Sequence, residues 1–271
     1  MCENAAQGCA QYFPAFGVMK AMSDLILDIG NTRMKAAVMA GGELREVCVL
    51  GDDAVGAVAR LCRRHGIGRA IASVVGREVD FDTLLPKPLQ PHFHRLGHES
   101  RLPVTLDYAT PQTLGMDRVA AVVGARVLCP EGPLVVVDAG SCVTVDLLDG
   151  GDCYRGGAIL PGMAMRFRAM HEFTAALPLV QLTDAERDGS EATPLTGCST
   201  RASMVAGVCN AMVYEIEGFM RDYERQLPGV KLFLTGGNAD FFAKRLFFPN
   251  FATPYLMYVG LEKLLEMNVI N

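Results

Sequence analysis

The sequence lacks a surplus of positive charge, a long apolar run and a recognisable leader. Its 25 Lys and Arg face 30 Asp and Glu, which gives a formal net charge of −5. This balance gives no support to binding of nucleic acid or of an anionic membrane surface. No window reaches the roughly 18 consecutive apolar residues of a membrane span, and residues 1–21 lack the charged and apolar regions of a signal peptide. We therefore expect a soluble, cytoplasmic protein.

Cysteine and histidine patterns typical of disulfide frameworks or zinc sites are also missing. The nine cysteines are odd in number and include no Cys-x-x-Cys pair. Four of them stand among apolar or small residues, and we expect them to pack as small hydrophobic side chains in a reducing compartment: Cys48, Cys142, Cys153 and Cys209. His92, His94 and His98 lack cysteine partners and lie in a proline-rich stretch. A solvated loop is therefore favoured over a zinc site there.

Neither a Walker phosphate loop nor a Gly-x-Gly-x-x-Gly motif occurs, yet the chain contains two matching hairpins. Residues 25–32, LILDIGNT, have the same outline as residues 135–142, VVVDAGSC. In each copy, an apolar run typical of a buried strand leads into Asp-x-Gly followed by a small polar or polarisable residue, the pattern of a tight turn. Two such turns would let backbone N–H groups face a polyphosphate from opposite sides. The repeat predicts a two-lobed enzyme that uses ATP.

The elements predicted along the chain fall into two similar halves. In the first half we expect three strands over 25–50, a helix over 53–65, a strand over 69–75 and a helix over 115–128. In the second we expect strands over 134–148 and 153–160, a helix over 163–176, a loop over 183–198, a helix over 200–226, a strand over 231–234 and a helix over 256–267. The predicted division is a disordered extension over residues 1–23, an N-terminal lobe over 24–130 and a C-terminal lobe over 131–271.

The first hairpin turn is a candidate phosphate loop. Gly30, Asn31 and Thr32 combine small side chains with backbone N–H groups that can approach phosphate closely. Lys35 on the outgoing strand can place an ammonium near phosphate oxygens. Asp28 can hold hydrated Mg²⁺, an ion that keeps several of its waters. For this motif alone, an ordinary hairpin is the alternative.

The second hairpin offers a hydroxyl and an N–H at Ser141 for phosphate. Cys142 has no adjacent base and is expected to pack rather than to act as a nucleophile. Asp146 lies further along the outgoing strand. Two interpretations of Asp146 stay open, a catalytic carboxylate and an ordinary aspartate at the end of a strand.

The segment Gly115-Met116-Asp117-Arg118 opens the predicted helix over 115–128. An aspartate in the first turn complements the helix dipole, which is a purely structural interpretation. In a kinase, by contrast, a carboxylate orients the acceptor hydroxyl and takes its proton late in a loose transition state. An arginine beside it would bind an anionic group of the substrate. Both interpretations stay open for this motif alone.

Three further features are less specific. The glycines of residues 156–162 suit either close approach of backbone to a ligand or tight packing. Thr200 stands where a helix begins, as an N-cap or as a contact to a substrate hydroxyl. Residues 235–237, Thr-Gly-Gly, follow a strand and could let adenine or ribose lie against the backbone.

Taken in order, these motifs resemble those of the type III pantothenate kinases. The resemblance is carried by D-x-G-N-T-x-x-K at 28–35, G-x-D-R at 115–118, D-x-G-S-x-x-T-x-D at 138–146, G-G-x-I-x-P-G at 156–162 and T-G-G at 235–237. It runs from about Leu25 to the C-terminus. Each motif is weak alone, but five in order are specific. The chain departs from the family at Ser141, where the family usually has threonine.

This resemblance implies an α/β, actin-like (ribonuclease-H-like) fold with two duplicated lobes, each a mixed five-stranded sheet flanked by helices. It implies transfer of the γ-phosphoryl group of ATP to the primary hydroxyl of pantothenate, the first step towards coenzyme A. Mg²⁺ and a monovalent cation, K⁺ or NH₄⁺, would take part. The family works as a homodimer with sites near the interface.

The resemblance also assigns roles to individual residues. Asp117 would be the general base, and Asp138 would bind the monovalent cation. The residues that would meet ATP are Asp28, Ile29, Gly30, Asn31, Thr32, Arg33, Met34, Lys35 and Ser141. The residues that would bind pantothenate are Tyr108, Gly115, Met116, Asp117, Arg118 and Thr200, with Arg118 on its carboxylate.

Two other hypotheses are compatible with the sequence. One is a kinase of the same fold that acts on another small alcohol, such as a sugar. The other is a non-catalytic regulatory accessory protein. Retention of Asp28, Asp117, Arg118 and Asp138 argues against an inactive site, and the acidic net charge argues against direct contact with DNA.

Overall fold

In the computed structural model, residues 23–30, 33–188 and 190–269 are described. Residues 1–22 of the predicted extension lie outside these ranges, as do Asn31 and Thr32 of the first phosphate loop. Ser23, the last residue of the predicted extension, begins the first strand.

The described residues alternate between strands and helices. The strands are β1 Ser23–Ile29, β2 Met34–Ala40, β3 Glu43–Leu50, β4 Ile67–Val74, β5 Phe93–Arg95, β6 Thr105–Leu106, β7 Leu134–Ala139, β8 Cys142–Leu148, β9 Cys153–Pro161, β10 Lys231–Thr235 and β11 Asn250–Ala252. The α-helices are α1 Ala54–His65, α2 Phe81–Leu84, α3 Met116–Leu128, α4 Met163–Glu172, α5 Asp184–Asp188, α6 Thr200–Gln226, α7 Ala239–Ala243 and α8 Leu256–Asn268.

The duplication predicted from the hairpins extends to whole sheets. The first sheet has the order β3-β2-β1-β4-β5, and the second contains the equivalent order β9-β8-β7-β10-β11. In both, the first three strands of this order are antiparallel to one another, and the last three are parallel. The strand directions therefore match as well as the order, which confirms two copies of one α/β plan.

The second sheet differs from the expectation because it has six strands rather than five. The extra strand is β6, which pairs in parallel with β9 at the sheet edge. With two residues, β6 is too short to show the alternation by which strands are recognised in a sequence. It comes from the first half of the chain and joins the sheet of the second half.

Apolar side chains of the central strands alternate between two cores. In β1, Leu25 and Leu27 face a cluster that includes α1, whereas Ile26 faces a cluster that includes α3 and α8. In β7, Val136 faces the same α3 and α8 layer, and Val135 faces α4 and α6. The helices α3 and α8 are thus packed between the two sheets.

Helix α8 connects the two halves of the chain. It packs along α3 and also contacts β1, β2 and β4 of the first sheet. Together with β6, it crosses the boundary at residue 130 that we predict between the lobes. The division into lobes over 24–130 and 131–271 stays a prediction.

Two helix boundaries differ from those predicted. Helix α4 ends at Glu172 rather than near residue 176, and Phe173, its C-cap, is 84% exposed, so no apolar contact supports a further turn. At the start of α6, Ser199 rather than Thr200 is the N-cap, and its side chain accepts a hydrogen bond from the backbone N–H of Ala202 at 3.2 Å. The predicted loop over 183–198 contains the short helix α5.

A buried carboxylate joins α8 to the β2–β3 turn. Glu262 is only 6% exposed, and its Oε1 accepts a hydrogen bond from the backbone N–H of Gly42 at 3.2 Å. Burial raises the pKa of Glu262 to about 7. The charges of Asp24 and Glu266 add to this rise, while the Gly42 hydrogen bond and Arg69 oppose it.

Replacement of this carboxyl should change how stability depends on pH. The folded state binds the proton of Glu262 more tightly than the unfolded state, so the free energy of unfolding falls as the pH rises from about 4.5 to about 7. The Glu262→Gln variant keeps an acceptor for Gly42 without the charge. We expect it to exceed the original chain in stability by about 1–3 kcal/mol near pH 8 and to match it near pH 4.5. Urea denaturation at both pH values measures this, with the exposed Glu43→Gln as control. Equal gains at both pH values would contradict it.

Candidate active site

The two aspartates of the matched hairpins occupy equivalent places at the carboxyl ends of β1 and β7. Asp28 lies opposite Lys35 across the first hairpin and beside Ser73 of β4. Asp138 lies opposite Thr144 across the second hairpin and beside Thr235 of β10. Both aspartates are half-buried. The parallel strands β4 and β10 therefore occupy equivalent positions beside the two aspartates.

The charges of four carboxylates in this region act on one another. Burial raises the pKa of Asp28 to about 6, with Lys35 opposing and Asp117 adding to the rise. Burial also raises the pKa of Asp138 to about 6, and the charges of Asp117, Asp28 and Asp146 raise it further. Aspartates on β1, α3, β7 and β8 are therefore near enough to influence one another's charge, and we refer to the space beside the two hairpin turns as the cleft.

Asp117 occupies the first turn of α3, as the sequence predicts. Its Oδ1 accepts a hydrogen bond from the backbone N–H of Arg118 at 2.9 Å, while Gly115 is the N-cap. Burial is the main cause that raises the pKa of Asp117, and the charge of Asp146 adds to it. A carboxylate with a raised pKa is a better proton acceptor than an exposed one. Met116, by contrast, is buried in the core beside α8.

Arg118 lies inside the protein rather than reaching freely into the cleft. Its Nε donates to Asp146 Oδ1 at 2.9 Å, and its Nη2 lies 2.6 Å from the same oxygen. The hydroxyl of Tyr154 donates to that oxygen as well, at 2.7 Å. The ring of Tyr108 packs 6.1 Å from the ring of Tyr154 and so borders the same group.

The Thr-Gly-Gly segment after β10 lies directly against the second hairpin. Gly236 has a φ of +87°, and a Cβ at this position would lie 2.3 Å from Asp138 Oδ1. The backbone N–H of Asn238 then donates to the carbonyl of Ala139 at 3.0 Å. The sequence motif is therefore explained by close approach of the β10–α7 turn to Asp138.

The turn of the second hairpin is open to solvent. The backbone N–H of Gly140 donates to the carbonyl of Cys142 at 2.9 Å, and Ser141 is exposed between them. Cys142 is exposed too. The prediction that Cys142 packs in the interior is wrong, because the first residue of β8 points away from the sheet's core at the turn.

Thr200 lies in a different cavity from the carboxylates. It lines an open groove of about 840 Å³ between α4 and α6, together with Arg166, Ser203 and Gly207. None of the four clustered aspartates lines this groove. The structure thus does not bring Thr200 together with Asp117 within one chain.

Sequence reasoning left the role of Asp146 open and gave none to Tyr154. Both lie within a β-hairpin whose turn is evident in the sequence, residues 149–152. The turn indicates that the two strands pair, but not that Asp146 lies opposite Gly157, because the register shifts between Asp146 and Leu148. The pairing of Asp146 with Arg118 could not be inferred either, because it joins α3 to β8 through tertiary packing.

Within the described ranges, no three histidine, cysteine or acidic side chains converge as a ready metal site. His94, one of the three histidines considered for zinc, has its Nε2 2.7 Å from the hydroxyl of Ser100. No helix in the described part of the chain has both the length and the apolar character to cross a bilayer.

Comparison with known sequences gives consistent matches. A family model for type III pantothenate kinase matches residues 24–222. The type III pantothenate kinase of Phocaeicola vulgatus is 39% identical over 246 residues, covering 90% of this chain and 98% of that protein. The enzyme of the same description from Cytophaga hutchinsonii is 38% identical over 248 residues, covering 91% and 100%.

Comparison with solved structures supports the fold. Component A of the (R)-2-hydroxyglutaryl-CoA dehydratase of Acidaminococcus fermentans superposes with a TM-score of 0.51 at 13% identity, covering 91% of this chain and 96% of that one. Glucokinase from Balamuthia mandrillaris gives 0.50 at 10% identity, covering 90% and 93%. With the duplicated strand order, these likenesses confirm the actin-like α/β fold.

Proposed function

This chain belongs to the type III pantothenate kinase family, and we propose from that premise how its residues carry out the reaction. The activity is ATP-dependent phosphorylation of pantothenate to 4′-phosphopantothenate, the first step of coenzyme A biosynthesis. Of the three hypotheses compatible with the sequence, the comparisons favour this one. The observation that supports the residue roles is that Asp28 and Asp138, at equivalent positions in the two hairpins, are both coupled by charge to Asp117.

ATP would lie between the two hairpin turns. The first turn would contribute mainly backbone, because Ile29 is fully buried; the residues involved are Asp28, Ile29, Gly30, Asn31, Thr32, Arg33, Met34 and Lys35, with Ser141 from the second turn. Lys35, opposite Asp28, would direct its ammonium to phosphate oxygens. The half-buried carboxylate of Asp28, with its raised pKa, fits a cation such as Mg²⁺. When bound, Mg²⁺ would neutralise charge on the phosphates.

Asp117 would act on the acceptor. Its carboxylate orients the primary hydroxyl of pantothenate and accepts the proton as the hydroxyl oxygen bonds to the γ-phosphorus. The bond from that phosphorus to the bridging oxygen breaks, and ADP leaves. The raised pKa of Asp117 suits it to hold this proton at the end of the step.

Pantothenate would lie along the start of α3. Gly115 and Met116 contribute backbone there, and Arg118 binds the carboxylate of the substrate while Tyr108 borders it. Thr200 is proposed as a further contact on the grounds of the family resemblance. The monovalent cation would be held by Asp138, whose carboxylate has a raised pKa and no cationic residue opposite it in the hairpin.

The role of Asp117 is tested by release of ADP from ATP in the presence and absence of pantothenate. The original chain should release ADP only with pantothenate, Mg²⁺ and K⁺ present. Asp117→Asn should lower kcat by about 10²–10⁴-fold, the usual contribution of a general base. Its KM for ATP should not rise and its thermal midpoint should not fall, since the substitution removes a negative charge from the group of aspartates.

The matched control is Asp52→Asn, an exposed aspartate in the turn before α1, which should keep full activity. Full activity in Asp117→Asn would remove this residue from the role of base. Absence of pantothenate-dependent ADP release by the original chain would contradict the whole assignment of residues.

We also propose a homodimer that covers the groove between α4 and α6. Large apolar side chains on α4, on α6 and in the segment between them are exposed in the single chain: Met165 at 42%, Phe173 at 84%, Leu179 at 51%, Leu195 at 77% and Tyr214 at 59%. Exposed apolar surface that forms a large patch is typical of subunit interfaces. The place of Thr200 in the groove fits a substrate site near that interface.

Light scattering after gel filtration tests the dimer. The original chain should elute at twice the mass of one chain. Tyr214→Glu should raise the dissociation constant at least about tenfold, because it places a charge in the buried interface. Phe247→Ser, at a side chain 94% exposed outside this groove, should leave the mass unchanged. A single-chain mass for the original protein would refute the proposal.

The location proposed for the enzyme is the cytoplasm. The seven cysteines of the described ranges are free thiols, which is usual in a reducing compartment.

A further inference from the structure

Asp146 and Tyr154 form a buried polar group with Arg118 that the roles above do not explain. The side chains of Arg118 and Asp146 are 8% and 2% exposed, and Tyr154 is fully buried. Burial of an ion pair costs desolvation free energy that its attraction often only offsets, and apolar residues of the same volume commonly stabilise a fold as well. Fold stability alone therefore gives little reason for this group beside the cleft.

Three polar contacts converge on one oxygen of Asp146. Arg118 Nε donates to Oδ1 at 2.9 Å, Arg118 Nη2 lies 2.6 Å from Oδ1, and the hydroxyl of Tyr154 donates to Oδ1 at 2.7 Å. The Tyr154 hydroxyl fixes the carboxylate, and the carboxylate fixes the guanidinium. The position of Arg118 is thereby set by β8 and β9 as well as by its own helix, α3.

Strands β8 and β9 approach each other closely and pair irregularly near Asp146. Asp146 lies opposite Gly157 of β9, and the pairing is irregular between Asp146 and Leu148. A Cβ at residue 157 would lie 1.9 Å from the carbonyl oxygen of Val145. Glycine at 157 thus lets β9 approach β8 at the level of Asp146. Tyr154 lies three residues before Gly157 on the same strand.

Nη2 of Arg118 is buried and forms an ion pair with Asp146 Oδ1 at 2.6 Å, but this contact lacks good hydrogen-bond geometry. A buried N–H that is poorly aligned with its acceptor calls for an explanation, and a ligand acceptor beside the guanidinium would provide one. Arginine presents paired donors that match a carboxylate. The carboxylate of Asp117, on which the charge of Arg118 also acts, would compete for the guanidinium if Asp146 did not hold it.

We propose that Asp146 and Tyr154 are positioning residues that hold the Arg118 guanidinium in the orientation in which it binds the carboxylate of pantothenate. The inference rests on the role proposed above for Arg118. Asp146 acts through Arg118 and Tyr154 acts through Asp146, and neither touches the substrate.

The test compares pantothenate with pantothenol, an analogue in which an alcohol replaces the carboxylate. Tyr154→Phe removes only the hydroxyl that donates to Asp146, and Asp146→Asn removes the charge that holds Arg118. Each variant should raise the KM for pantothenate about tenfold, equivalent to about 1.4 kcal/mol, and leave the KM for ATP within about twofold. The ratio of kcat/KM for pantothenate to that for pantothenol should fall by about the same factor. Pantothenol has no carboxylate for Arg118 to bind, so a misplaced Arg118 should leave its kcat/KM unchanged.

A second set of variants distinguishes the positioning role of Asp146 and Tyr154 from the binding role of Arg118 itself. Arg118→Lys should lower the same ratio, and the double variant Arg118→Lys/Tyr154→Phe should be no worse than Arg118→Lys alone. If Arg118→Lys leaves the ratio unchanged, the proposed role of Arg118 fails, and the positioning role fails with it. If Arg118→Lys lowers the ratio while Tyr154→Phe leaves it unchanged, only the positioning role is overturned.

The control for a purely structural effect is Asp24→Asn. Asp24 forms a buried, bidentate pair with Arg69, at 2.9 and 2.7 Å, remote from the cleft at the start of β1. This variant should lose stability and keep the ratio between the two substrates. A Tyr154→Phe variant that loses kcat/KM equally for both substrates would behave like this control and would overturn the inference.

Discussion

Burial of Asp28, Asp117 and Asp138 near one another's charges is the constraint around which the structure is arranged. The pKa values of Asp28 and Asp138, each raised by burial and by the other carboxylates to about 6, mean that the ionised cluster is destabilising. Two units of pKa correspond to up to about 3 kcal/mol for each group near neutral pH. The fold tolerates this because each hairpin places its aspartate at the end of a fully buried strand.

The apolar layer between the sheets offsets that cost. Burial of one Leu, Ile or Val side chain stabilises by about 1.5–3 kcal/mol, so the strain on one aspartate is comparable to one or two such residues. Helices α3 and α8 pack against both sheets and bury many apolar side chains. Because α3 also carries Asp117 in its first turn, the same packing that stabilises the fold fixes this proposed base with respect to both hairpins.

The duplicated fold and the individual aspartates of the site could be predicted from the sequence, since both depend on local patterns, whereas the proximity of those aspartates depends on tertiary packing. Apolar runs that end in Asp-x-Gly indicate the hairpins, and a glycine-led helix start indicates the position of Asp117. The two-residue strand β6 and the N-cap Ser199 could not be predicted, because each depends on only one or two side chains. The pairing of Arg118 with Asp146 was beyond reach for another reason: it joins elements that are distant in the sequence, and no periodicity reports such contacts.

The two hairpins differ at one register position, and this difference is consistent with the separate roles proposed for them. Across the first turn, Asp28 faces Lys35, so the carboxylate already has a cationic neighbour and the pair together suits phosphate with its metal. Across the second turn, Asp138 faces Thr144, which brings no charge. Asp138 is surrounded by other carboxylates and is covered closely by the turn at Gly236. Lys35 opposes the rise in the pKa of Asp138 only in part. The monovalent cation proposed at Asp138 would compensate the remaining charge, and it suits a single carboxylate in a confined site better than a second Mg²⁺, which prefers several waters.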